Sequence, residues 1–107
     1  MDITINFNEL VNPPYTDTIS GRDYGKKHAI DTKIIKQIDE NNIIIIVIDE
    51  NIVKAINDSF IKGYFNEVFK KLKTIKEVKK HITLNTGDYY KDLIEKNWAI
   101  LEAIHNV

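Results

Sequence analysis

The sequence predicts an α/β domain, a small sheet built on a central parallel strand at 43–48 and covered by three helices. Three observations carry this expectation. Ile43 to Ile48 are six consecutive β-branched residues with no polar face, the composition of a strand covered by protein on both sides, as central parallel strands are. In the segment that follows, helical spacing gathers Phe60, Ile61, Tyr64, Phe65, Val68, Phe69 and Leu72 on one half of a cylinder, with Lys62, Asn66, Glu67 and Lys70 on the other, an amphipathic helix with a wide buried face. Finally, strand-like and helix-like patterns alternate three times along the chain, which calls for parallel pairing through right-handed crossovers.

The whole-chain figures bound the function classes. A length of 107 residues suits one domain with a single core. With 15 Lys+Arg against 16 Asp+Glu, no overall field draws the chain to nucleic acid or anionic lipid. The absence of cysteine excludes disulfides, thiolate metal sites and cysteine catalysis. The opening MDITINF lacks the features of a signal peptide, and no apolar run approaches a membrane span. A cytoplasmic protein is expected, without nucleic-acid or membrane partners.

In chain order, Ile3, Ile5 and Phe7 alternate with Thr4, Asn6 and Asn8, the period of a half-buried edge strand. Pro13 and Pro14 force an extended loop. Ser20 opens the next helix as its expected N-cap, with Asp23 three positions on and Ile19 and Tyr24 placed as a hydrophobic staple. The apolar stripe then runs through Tyr24, His28, Ile34, Ile35 and Ile38, but Lys27 and Asp31 fall on the same side. Either the helix breaks near Asp31 or that face is only partly buried. Asn41 and Asn42, tolerant of left-handed conformations, close the segment.

Ser59, between Asp58 and the apolar run, is the expected N-cap of the central helix. In open α/β sheets, sites gather at strand carboxyl ends beside helix N-termini, which draws attention to this point. Beyond it, Lys70 to Lys80 reads as a solvated lysine-rich face, broken by Glu77. His81 to Asn85 alternates as a short strand, and Thr86-Gly87-Asp88 is a turn ending in a cap. The last helix runs from about Tyr89 towards His105, with Tyr90, Leu93, Ile94, Trp98, Leu101 and Ile104 inward.

The search for chemistry is mostly negative. His28, His81 and His105 are too far apart for a local metal pair, and neither a P-loop nor a dinucleotide glycine pattern appears. No cofactor or metal is implied. Two stretches stand out. Ser20, Gly21, Arg22 and Lys26 set a helix start, a glycine permitting close backbone approach and cationic side chains together, a candidate anion or ligand site whose bland alternative is an ordinary capped helix. Arg22 is the one arginine in a chain that otherwise uses lysine, and so the one planar, bidentate donor. Asp58, Ser59, Phe60, Lys62 and Gly63 form the second stretch, a candidate partner-binding or phosphorylation surface.

The order Ser20-Gly21, Tyr24 and a basic segment, an apolar strand, then Asp58-Ser59-Phe60-Ile61-Lys62-Gly63-Tyr64-Phe65 and a long amphipathic helix resembles the STAS-like family of small bacterial proteins over most of the chain. That family is related in pattern to the STAS domains of anti-anti-sigma factors. There, the serine opening the helix after the central strand is phosphorylated by a histidine-kinase-like ATPase, and Ser59 occupies that position. A glycine usually follows shortly after that serine; here Phe60 and Ile61 come next. The resemblance implies a non-catalytic regulatory module partnered by such an ATPase. The alternative left by the residues is a small-molecule or nucleotide-phosphate binder, or a minor enzyme, with its site between Arg22 and Ser59.

Overall fold

The computed structural model describes residues 1–10 and 18–106; the loop expected at Pro13 and Pro14 lies outside them. The main sheet has three parallel strands, β1 (Asp2–Asn6), β3 (Ile43–Val47) and β5 (Ile82–Asn85), in the order β1-β3-β5. β2 (Thr18–Ile19) and β4 (Ala55–Ile56) make a second, two-stranded parallel sheet. A short 3-10 helix (Phe7–Leu10) follows β1, and the described residues form five α-helices: α1 (Arg22–Asp31), α2 (Ile34–Asp39), α3 (Asp58–Leu72), α4 (Ile75–His81) and α5 (Asp88–His105). β1 is an edge strand and β3 the central one, as the pattern indicates.

Both crossovers step the same way across the sheet, so a right-handed path lays the helices on one face. Burial along β3 follows. Ile44, Ile46 and Ile48 are buried, while Ile45 and Val47 are half-buried and Ile43 is 38% exposed. The expectation of cover on both sides is therefore corrected. The run is uniformly apolar, but its second face lies between Thr4 and Thr83 and between Asn6 and Asn85 on the flanking strands, a half-polar surface of the kind one-sided sheets turn outward.

The helix expected over 20–40 is two helices, broken at the point where Lys27 and Asp31 spoil the stripe. Thr32 ends α1, its hydroxyl donating to the His28 carbonyl (2.8 Å), and Lys33, left-handed at φ 54°, turns the chain into α2. Asn41 is left-handed before β3, as expected. Residues 75–81, read as part of a lysine-rich face, form α4, whose N-cap Thr74 accepts from the Glu77 amide (3.2 Å). Thr74 and Glu77 are spaced as a capping box, the signal that would have found this helix. In α5 the inward face is confirmed except at Ile104, which is 55% exposed; Asn97 is buried instead. Asp88 is the first residue of α5 and Gly87 its cap.

Aromatic rings tie the layers together. Phe7 meets Phe60 and Tyr64 edge-on at 5.8 and 5.0 Å, Tyr64 meets Phe65 at 4.9 Å, and Phe65 meets Trp98 of α5 at 5.4 Å. Such contacts add to area burial. Buried hydroxyls end on partners: Tyr64 pairs with Thr32 (2.8 Å) and Tyr90 donates to the Val53 carbonyl (2.6 Å). Burial raises the Tyr64 phenol, an effect only partly offset by that bond to Thr32.

α1 and α3 form the most extensive element pair, and glycines make it so. A Cβ at Gly25 would strike the Phe60 carbonyl oxygen and lie 2.8 Å from the Tyr64 amide nitrogen. One at Gly63 would strike the Arg22 carbonyl oxygen and lie 2.9 Å from its carbon. An interior helix glycine costs about 1 kcal/mol relative to alanine, and here that cost allows backbone to meet backbone.

Gly25→Ala and Gly63→Ala are each expected to destabilise the fold by about 1–3 kcal/mol through overpacking, despite alanine's better helix propensity. Urea melts measure this, and losses below about 0.5 kcal/mol at both positions would rule out the close crossing. A second expectation concerns pH. Burial lowers the His28 pKa, with Asp31 opposing and Lys27 assisting, and its Nε2 is buried without a partner. The unfolded chain therefore takes up this proton first, and stability should fall as pH drops below about 6.5, until the folded-state pKa is passed. His28→Gln should flatten that part of the profile in thermal melts.

Candidate functional site

The glycine crossing decides where the candidate residues lie. With Gly63 seated under the backbone of Arg22 and Gly25 against Phe60 and Tyr64, the start of α1 crosses the first two turns of α3. Arg22, Lys26 and Lys62 thereby converge on one cleft of about 190 Å³, completed by Asp23, Gly63, Asn66 and Glu67. The two separate candidate stretches contribute to this single site. None of the three cations is ion-paired among the described residues. Arg22 is also the first residue of α1, where the helix dipole disfavours a positive charge. Its placement does not serve the helix.

The other candidates lie elsewhere. Ser20 is exposed and caps nothing: the N-cap of α1 is Gly21, at φ 100° and ψ 130°, with no side-chain cap bond. Gly21 is needed because an L side chain rarely adopts that φ. Phe60 is fully buried between Phe7, Tyr24 and Tyr64 and is a core residue rather than a contact surface.

Ser59 is corrected as well. The N-cap of α3 is Asn57, whose Oδ1 accepts from the Ser59 amide (2.7 Å) and also from the Ser59 hydroxyl. An apolar run fixes a helix start only to within a residue or two, and Asn57 caps as well as serine does. Ser59 is half-buried in the first turn, beside Asp58, whose Oδ1 accepts from Asn97 of α5 (3.2 Å). It does not line the cationic cleft.

At the carboxyl ends of β3 and β5 a second concavity of about 380 Å³ is lined by Asp49, Glu50, Asn85, Thr86 and Gly87 among others. Its charges are acidic, and the Glu50 carboxylate stands over Gly87 at the start of α5. An anion is repelled there, so the anion-attracting surface is displaced from the strand ends to the α1–α3 flank.

The cleft contains cations, two carboxylates and an amide, but no serine, threonine, tyrosine or histidine. It can hold an anion or an acidic surface. No cluster of three or more metal-ligating residues occurs among the described residues. No helix among them is long and apolar enough to cross a membrane. Lys71, Lys79 and Lys80 of the lysine-rich stretch pair with Asp39, Glu95 and Glu77.

Asn57→Ala should cost about 1 kcal/mol, the loss of an N-cap, whereas Ser59→Ala should stay within about 0.5 kcal/mol because the cap survives it. Chemical denaturation of the two variants checks this, and the reverse order would return the cap to Ser59.

No family model, no curated protein and no solved structure matches the chain.

Proposed function

We propose that this chain is a non-catalytic regulatory module that docks on a protein partner through the α1–α3 flank. The observation that carries this reading is the convergence of Arg22, Lys26 and Lys62, unpaired among the described residues, on a cleft without a serine, threonine, tyrosine or histidine. Charges that repel one another and oppose a helix dipole do not stabilise the fold; opposite a carboxylate-bearing surface they steer association and fix register. The STAS-like resemblance supplies the class of partner, a histidine-kinase-like ATPase. A phosphate on Ser59 would add charge to the first turn of α3, one turn from Gly63, where the helix dipole favours it and Asp58 opposes it.

A second reading keeps the same residues. Three convergent cations in a cleft of about 190 Å³ also suit a free phosphate or a nucleotide-phosphate ligand, and the chain is then a small-molecule binder.

Affinity capture from the native host, with and without ATP, is expected to enrich a protein on the wild type and on a remote Lys76→Glu control. Arg22→Glu with Lys62→Glu should reduce that capture at least tenfold, about 1.4 kcal/mol, while stability moves by less than about 0.5 kcal/mol. Equal capture by all three would refute the docking surface. If Ser59→Asp and Ser59→Ala bind the purified partner as the wild type does, the start of α3 is not the switch. Saturable NMR shifts at Arg22, Lys26 and Gly63 with ATP or inorganic phosphate would transfer the assignment to the small-molecule reading.

A further inference from the structure

The cleft is one end of a longer groove. Where α1 stops and Lys33 turns the chain into α2, a trough of about 430 Å³ opens along Ala29, Ile30, Ile35 and Gly63, rimmed by Lys33 and Lys36. It shares Lys26, Gly63 and Glu67 with the cationic cleft. The missing side chain of Gly63 lets the Arg22 backbone pack directly on α3, and the two concavities adjoin along this crossing. The floor is apolar, and Ile30 stands 68% exposed on its wall, in the middle of a charged surface.

The charges around this groove are one-sided. Arg22, Lys26, Lys33, Lys36 and Lys62 face it against Asp23 and Glu67, in a chain of net charge −1. Of the five cations only Lys36 has an ion-pair partner among the described residues, Glu40 at 3.9 Å. An apolar floor beneath a rim of unpaired lysines is complementary to a helix whose apolar stripe is flanked by carboxylates. The groove runs beside the ten residues of α1, about 15 Å at 1.5 Å per residue, which accommodates roughly three turns of such a helix. A small amphiphile would remain wet along an open trough, whereas pockets bury most of a ligand's surface. A nucleic acid would find no aromatic side chain to stack on among the lining residues.

We propose that this groove receives an acidic amphipathic helix of the partner, its apolar residues over Ala29, Ile30 and Ile35 and its carboxylates against Arg22, Lys26, Lys33 and Lys62. The proposal rests on the docking reading and specifies its chemistry.

The probe is a labelled helical peptide of about four turns with leucines at i, i+3, i+4 and i+7 flanked by glutamates, compared with a peptide of the same composition whose leucines are scattered around the helix. The patterned peptide should bind at least tenfold more tightly than the scattered one, with saturable NMR shifts at Ile30, Lys33 and Gly63. Ile30→Asp, a change at an exposed position, and Lys26→Glu with Lys33→Glu should each weaken binding at least tenfold while urea melts stay unchanged. Equal binding of both peptides, undiminished binding to Ile30→Asp, absence of binding at millimolar peptide, or preference for dodecanoate or inorganic phosphate would overturn it. Failure here with partner capture still dependent on Arg22 and Lys62 removes only the helical occupant. Peptide binding with capture indifferent to those residues removes the docking reading and leaves the groove's chemistry standing.

Discussion

The rest of the structure depends on a contact between two backbones. Gly25 of α1 lies on the Phe60 and Tyr64 peptide groups of α3, and Gly63 of α3 lies on the peptide of Arg22. Helices that carry side chains at their crossing stand 8–10 Å apart; glycines remove that spacing. Close approach puts Tyr64 within a hydrogen bond of Thr32 at the end of α1 and packs Tyr24, already edge-on to its helix neighbour His28, against Phe60. The same approach lines up the polar flanks of both helices, so a packing device also builds the cationic cleft.

Winding in a single direction sets the second constraint. With every helix on one side of a three-stranded sheet, the core fills between sheet and helices, and α3 occupies its middle: Phe60, Ile61, Tyr64, Phe65, Val68 and Phe69 are all fully buried. The strand ends are the usual place for a site in α/β folds, but Asp49 and Glu50 hold that ground here. Negative charge at the strand ends and positive charge on the α1–α3 flank make a polarised molecule of nearly neutral total charge. A neutral total hides such a division, and recognition by charge depends on the local field.

The composition of the cleft is cationic, with two carboxylates and one amide. The groups shifted by burial, Tyr24, Tyr64 and His28, lie outside the cationic cleft, and Tyr64 and Thr32 satisfy each other. What the flank offers is a backbone frame held by the glycine crossing and carrying long cationic side chains, with Ile30 exposed among them. That combination suits an interface with a charged rim and a small apolar centre.

The sequence by itself determined the elements whose signal is local. Six β-branched residues in a row fix β3 and a one-sided aromatic stripe fixes α3, whereas the clash of Lys27 and Asp31 with an apolar stripe left either a break or a half-buried face, and the structure has the break. Arg22, Lys26 and Lys62 were also legible as cations beside glycines. Which residue caps α3 was not, because Asn57, Asp58 and Ser59 are all good caps and only the hydrogen bonds of Asn57 choose among them. Nor was the exposure of one face of β3, since that depends on the direction of the crossovers rather than on the strand's composition. A site between Arg22 and Ser59 was one of the alternatives, but that Lys62 and Gly63 rather than Ser59 join Arg22 and Lys26 was decided by tertiary structure. Gly25 and Gly63 read singly as weak points in their helices, and only their mutual approach shows why neither position has room for a Cβ.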